Sequence, residues 1–221
     1  MRALLMVLLF CCSGLALAAS PKTEVAVLST LHKLHAQTPA YDFTALGRSL
    51  LKLAPDVLCI EVRPDRFEQR ADESTKVEFP QVVYPLLQQH PWPVYPMEPM
   101  QPLYDRIGRA YMTSYQAFSE QQPDVAVAFS AHNTAMYALL ADYWTTPARV
   151  NDRVTDAFMR AKHQLQQDLV GAGEREGWQA WNAQFMAAID RAVSEHPGKR
   201  IVVLAGAEHG YWLRDALAAR D

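Results

Sequence analysis

Three short apolar runs restrict what this chain can become. Glu24 to Ser29 reads Glu-Val-Ala-Val-Leu-Ser, residues 57–62 read Val-Leu-Cys-Ile-Glu-Val, and residues 200–205 carry Ile201-Val202-Val203-Leu204. Such runs are too short for helices and apolar on both faces, the signature of strands buried inside a parallel sheet. A fourth, brief strand is predicted at 93–97, where Pro91-Trp92-Pro93 breaks the preceding pattern. Between the strands the apolar spacing changes to threes and fours. Asp42 caps a helix carrying Phe43, Leu46, Leu50 and Leu53. Residues 79–90 continue as helix, with Pro80 tolerated in its first turn. Four long helices are predicted at 104–121, 125–144, 150–170 and 174–195, and a last one carries Trp212, Leu213, Ala216 and Leu217. In the fourth long helix Trp178, Trp181, Phe185, Ile189 and Val193 share a stripe read as core. The charged residues 63–78 read as loop or short helix. The predicted class is α/β: a mainly parallel sheet flanked by helices, with a long helical insertion before the last strand.

Residues 1–18 are set apart. Arg2 is followed by the apolar Leu4 to Phe10 and then by Ala16-Leu17-Ala18, the order of a signal peptide cleaved after Ala18. Export to the periplasm or the medium follows as an expectation. Lipid anchoring at Cys11 or Cys12 is the alternative, disfavoured because Phe10 stands where a lipobox cysteine has a small residue. Residues 19–221 make one domain of roughly 200 residues. Beyond the leader only Cys59 remains, so no internal disulfide is available, and its apolar surroundings mark it as a small core residue. A net charge of −3 without a basic stripe argues against nucleic acid as a partner.

Four acid–base residues follow the four predicted strands: His32, Glu61, Glu98 and His209. Parallel strands place their carboxyl ends on one edge, where open α/β sheets bind ligands. Gly206 is expected to let the chain turn tightly and aim N–H groups at an anion, with Ser29 in the corresponding place of a looser first turn. His35, three residues after His32, faces an undetermined direction. Glu208 reads as a cap of the last helix. Among Arg63, Arg66 and Arg70, Arg66 is chosen as the group that orients a carboxylate or binds a substrate anion. His132 and His163 lack a strand-end position and read as structural or surface residues.

The order of these motifs resembles the superfamily that joins the TraB/Tiki proteins, the erythromycin esterases and the ChaN-like haem-binding lipoproteins. The matching residues are Ser29-Thr30-Leu31-His32, Pro55 through Glu61 with Arg66, and Gly206-Ala207-Glu208-His209. The chain departs at Ser29, where the superfamily has glycine, and at Thr155 in the segment Asn151 to Met159, where it has arginine. The resemblance implies hydrolysis of a peptide or ester bond by histidine-activated or metal-activated water. His32, Glu61 and His209 are then either catalytic groups or ligands of a divalent metal, with Glu98 and Arg66 in support. The residues themselves fit a hydrolase in which His32 is the base, Glu61 orients it, and His209 stabilises or protonates the developing oxygen. The alternative expectation is a non-enzymatic protein that binds haem or another iron ligand, its pocket lined by His209, Tyr211 and the Trp-rich helices. Gly-x-Ser-x-Gly and His-Glu-x-x-His are both missing from the sequence, which argues against the common serine hydrolases and zinc peptidases.

Overall fold

The computed structural model describes residues 22–71 and 74–220. The expected signal peptide, Cys11 and Cys12 lie outside them. Four parallel strands form one sheet in the order β1-β4-β2-β3, with β1 Glu24–Thr30, β2 Val57–Ile60, β3 Val94–Pro96 and β4 Arg200–Gly206. The strand from the far end of the chain therefore sits between the two from its start. Its burial explains why: Ile201 through Gly206 are buried without interruption, as an interior strand covered on both faces requires. The edge strand β3 is three residues long and ends in Pro96, which cannot donate to a further neighbour.

Side chains alternate across the sheet and divide the core in two. Leu58, Ile60, Val202 and Leu204 face one side. There they meet Leu46 and Leu50 of α1 (Phe43–Lys52), and Phe79, Val82 and Val83 of a π-helical turn that runs into α3 (Tyr84–Gln89). Val57, Cys59, Ile201, Val203 and Ala205 face the other, against Phe185, Met186 and Ile189 of α8 (Ala172–Glu195) and Leu213 of α9 (Ala207–Ala218). Cys59 is fully enclosed there, and burial pushes its thiol up to about 12, so it is an inert packing residue. Asp42 caps α1 as the sequence requires, accepting from Ala45 N–H at 2.7 Å.

The helical insertion before β4 comprises α4 (Leu103–Gln121), α5 (Pro123–Tyr143), α6 (Pro147–Val150), α7 (Arg153–Val170) and α8. The segment predicted as one helix from Val150 breaks at Asn151, because Asp152 turns its side chain onto the N–H groups of Val154 and Thr155 and starts α7 afresh. The charged segment after β2 contains one short helix, α2 (Pro64–Glu68). Among the described residues no helix is long and apolar enough to cross a membrane.

Candidate functional site

The four strands end at Thr30, Ile60, Pro96 and Gly206 on one edge, and His32, Glu61, Glu98 and His209 gather there. The first turn carries the strained backbone. His32 has φ +51°, a left-handed conformation that costs a non-glycine residue about 1 kcal/mol. His35 braces this turn: its Nε2 accepts from Leu31 N–H at 2.9 Å and its Nδ1 donates to the Tyr41 carbonyl at 2.6 Å. Both ring nitrogens are spent and burial lowers its pKa, so His35 is a strut and not a site residue. The expectation that Gly206 makes the sharper turn is corrected. Gly206 has an ordinary φ of −54°, and what it supplies is space. A Cβ there would lie 2.6 Å from His32 Nε2. Its N–H does point at an anion, the Glu61 carboxylate, donating to Oε2 at 2.6 Å.

Glu61 is the hub. It is 4% exposed. Its Oε1 lies 3.4 Å from Lys76 Nζ, 3.7 Å from His32 Nε2 and 4.0 Å from His209 Nε2. Burial alone would raise its pKa. Lys76, His32, His209 and the Gly206 N–H together overcome that and hold it at about 2. Lys76 also pairs with Glu98, and the two carboxylates push its own pKa up against burial. Lys76 therefore fills the place given to Arg66. Arg66 lies on α2 and is not part of the chamber wall, while Arg63 pairs with Asp65 and covers Tyr104.

The hydrogen bonds fix the state of both histidines. His32 Nδ1 donates to Glu78 Oε1 at 2.7 Å, and the same oxygen accepts from Thr30 Oγ1 at 2.8 Å. Glu78 is fully buried. Burial draws the His32 pKa down, but Glu61 and Glu78 outweigh it and the pKa rises above 6.5. His209 Nδ1 lies 2.8 Å from Asn182 Oδ1, and Asn182 Nδ2 donates to the Trp178 carbonyl at 2.8 Å. That second bond sets which end of the amide is oxygen, so His209 carries its proton on Nδ1. Burial lowers His209 to about 4 despite Glu61. At neutral pH Nε2 of His209 is a bare acceptor. This corrects its expected role, since a group with a lone pair at that position cannot donate to a developing oxygen.

Two cavities meet at the first turn of α9. The larger, about 440 Å³, is lined by Glu61, Lys76, Glu98 and His209 at one end and by Trp178, Trp181 and Tyr111 further out. The smaller, about 300 Å³, is lined by His32, Gly206, Leu31, Trp144 and Met159. Glu208 and His209 face both. Glu208 is not a helix cap. It accepts from Lys162 Nζ at 2.7 Å and from the Tyr137 hydroxyl, and lies 3.1 Å from His163 Nε2. His163 stacks on Trp178 at 3.7 Å, and the other face of Trp178 stacks on His209 at 4.5 Å. His163 is thus part of the wall, and Trp178 and Trp181 of the α8 stripe both pack against the core and line the chamber. Tyr211, expected in a haem pocket, packs into the main core and lines neither cavity.

The expected metal set is met by a competing cation. His32 Nε2, His209 Nε2 and Glu61 Oε1 converge, but the Lys76 ammonium already neutralises Glu61 at 3.4 Å. A divalent ion bound to the same oxygen would stand against that charge. Among the described residues no group of three or more His, Cys, Asp or Glu side chains is arranged to hold a metal. The residues present fit a lysine-compensated site better than a metal site. No family profile, curated protein or solved structure matches this chain.

Proposed function

We propose that the protein is a hydrolase of esters or peptides that activates water with His32 and needs no metal. The observation that carries this reading is the Glu78–His32 pair. A buried carboxylate holds Nδ1–H at 2.7 Å and leaves Nε2 as a base facing Glu61, His209 and the smaller cavity. Water between these groups gives one proton to His32 Nε2 and hydrogen-bonds through the other to His209 Nε2 or Glu61 Oε1. Its oxygen bonds to the substrate carbonyl carbon. Lys76, whose ammonium lies 3.4 Å from Glu61 Oε1, donates to the carbonyl oxygen as it gains charge. The bond to the leaving group then breaks, and imidazolium His32 returns the proton to the departing oxygen or nitrogen. Glu61, held ionised, keeps Lys76 and His32 in place and is no proton carrier. Histidine-activated hydrolysis also accords with the resemblance to the erythromycin esterases.

A panel of ester and peptide substrates tests this. His32→Ala is expected to lower kcat/KM by about 10²-fold or more on any substrate turned over, with the fold intact by circular dichroism. Equal rates in the two proteins would remove His32 from the chemistry.

A further inference from the structure

The outer end of the larger chamber holds a carboxylate that the hydrolytic reading does not use. Glu174, in the first turn of α8, lines the chamber and is 4% exposed. Its Oε1 accepts from Gln166 Nε2 at 2.8 Å, and its Oε2 accepts from no described residue. The other three carboxylates of the chamber each have an ammonium: Lys76 serves Glu61 and Glu98, and Lys162 serves Glu208. Glu174 forms no ion pair among the described residues. Burial keeps its carboxyl above the ordinary range, outweighing the more distant pull of Lys162 and the bond from Gln166. His163 and His209 do not redress the balance, because burial lowers both pKa values and leaves the rings neutral. Four carboxylates thus face two ammoniums in one chamber.

The wall beside Glu174 is aromatic. Tyr111 stands beside Glu174, while Trp181, two turns further along α8, packs on Tyr104, and Trp178 is unavailable for stacking because His163 and His209 cover its two faces. Gly108 opens room in the same wall: a Cβ there would meet nothing within 4 Å. A π-face presents negative potential to a cation, and a buried carboxylate beside it adds the counter-charge. One carboxylate, one amide and one ring offer too few oxygens for a metal ion. They suit an organic cation, and about 440 Å³ is the size of a small-ligand pocket.

We propose that this end of the chamber binds the ammonium group of an organic amine, with Glu174 as its counter-ion and Tyr111 as the ring beside it. Taken with the hydrolytic reading, on which this extension rests, the substrate is an ester or amide that carries a basic amine.

The probes are 2-phenylethylamine, charged at pH 7, and its neutral analogue 2-phenylethanol. Binding is read by calorimetry and tryptophan fluorescence, so the outcome stands whether or not hydrolysis is found. The amine is expected to bind at least about tenfold tighter than the alcohol, an advantage expected of a desolvated charge pair. Glu174→Gln, which keeps the contact with Gln166, should erase the difference. Gly108→Leu, which fills the open space, should weaken the amine by a similar factor, and it carries the test if Glu174→Gln does not fold. Equal affinity for the two probes, no binding of the amine, an amine advantage unchanged in Glu174→Gln, or an amine affinity unchanged in Gly108→Leu would overturn the proposal.

Discussion

Replacing Gly206 by Ala is expected to lower kcat/KM on the order of 10²-fold while changing stability by about 1 kcal/mol or less. The reason is geometric. The backbone at 206 has φ −54°, which any residue adopts, so the substitution brings no conformational strain. The added Cβ would lie 2.6 Å from His32 Nε2, 3.1 Å from His32 Cε1 and 3.4 Å from Glu61 Oε2. The main chain cannot move away, because Gly206 pairs in register with Thr30 and its N–H is bound to Glu61. The imidazole is the part that can give, and it must give by roughly 1 Å, enough to misplace a base. Kinetics and a thermal melt on the same preparation check both halves. Full activity in Gly206→Ala would mean that His32 does not work from the position described.

Lys76→Met is expected to destabilise the protein by about 3 kcal/mol, because it strands charges at low dielectric. Glu61 and Glu98 lose the ammonium they share, and the methionine stem keeps the packing. The effect should depend on pH in a fixed direction. A carboxylate whose folded pKa is depressed from 4.5 to about 2 stabilises the fold above pH 4.5, and that contribution is lost as the pH falls towards 2. Lys76 is the largest of the attractions that depress it. The stability gap between wild type and Lys76→Met should therefore be full at pH 7 and close between pH 4.5 and 2. Denaturant titrations at several pH values measure it. A gap below about 1 kcal/mol at pH 7 would show that the ammonium is not what balances this edge.

The strands were legible in the sequence because each is an apolar run with a hard boundary. Ile201 to Leu204 admits no other reading than a strand covered on both faces, and it proves to be an interior one. His32, Glu61, Glu98 and His209 were legible for a derived reason: parallel strands bring their carboxyl ends together, so position after a strand is positional information. Lys76 and Glu78 lack that signal. They belong to a charged stretch without periodicity, and their placement is decided by tertiary contacts such as Lys33 N–H to the Thr75 carbonyl. Trp178 and Trp181 show a different limit. Helical spacing says that they share a face with Phe185 and Ile189, but not where the sheet stops beneath it. In α8 the later turns rest on β2, β3 and β4, while the earlier ones overhang the edge and face the chamber. Arg63, Arg66 and Arg70 all follow Glu61 closely in sequence, which does not tell them apart, and Arg66 lies on α2 outside the chamber lining.

The central claim is that Glu78 tunes His32 to act as the base, and the pH dependence of kcat/KM in wild type and Glu78→Gln measures it directly. Protonated His32 cannot accept a proton from water, so activity must rise with pH through the pKa of the free enzyme's base. In the wild type that inflection should lie above 6.5, because Glu61 and Glu78 favour the charged ring against burial. Glutamine keeps a hydrogen-bond acceptor for Nδ1–H but removes the charge. The inflection should then move to lower pH, with a lower plateau. An inflection at the same pH in both proteins, or a profile with no rise between pH 5 and 8, would contradict the account.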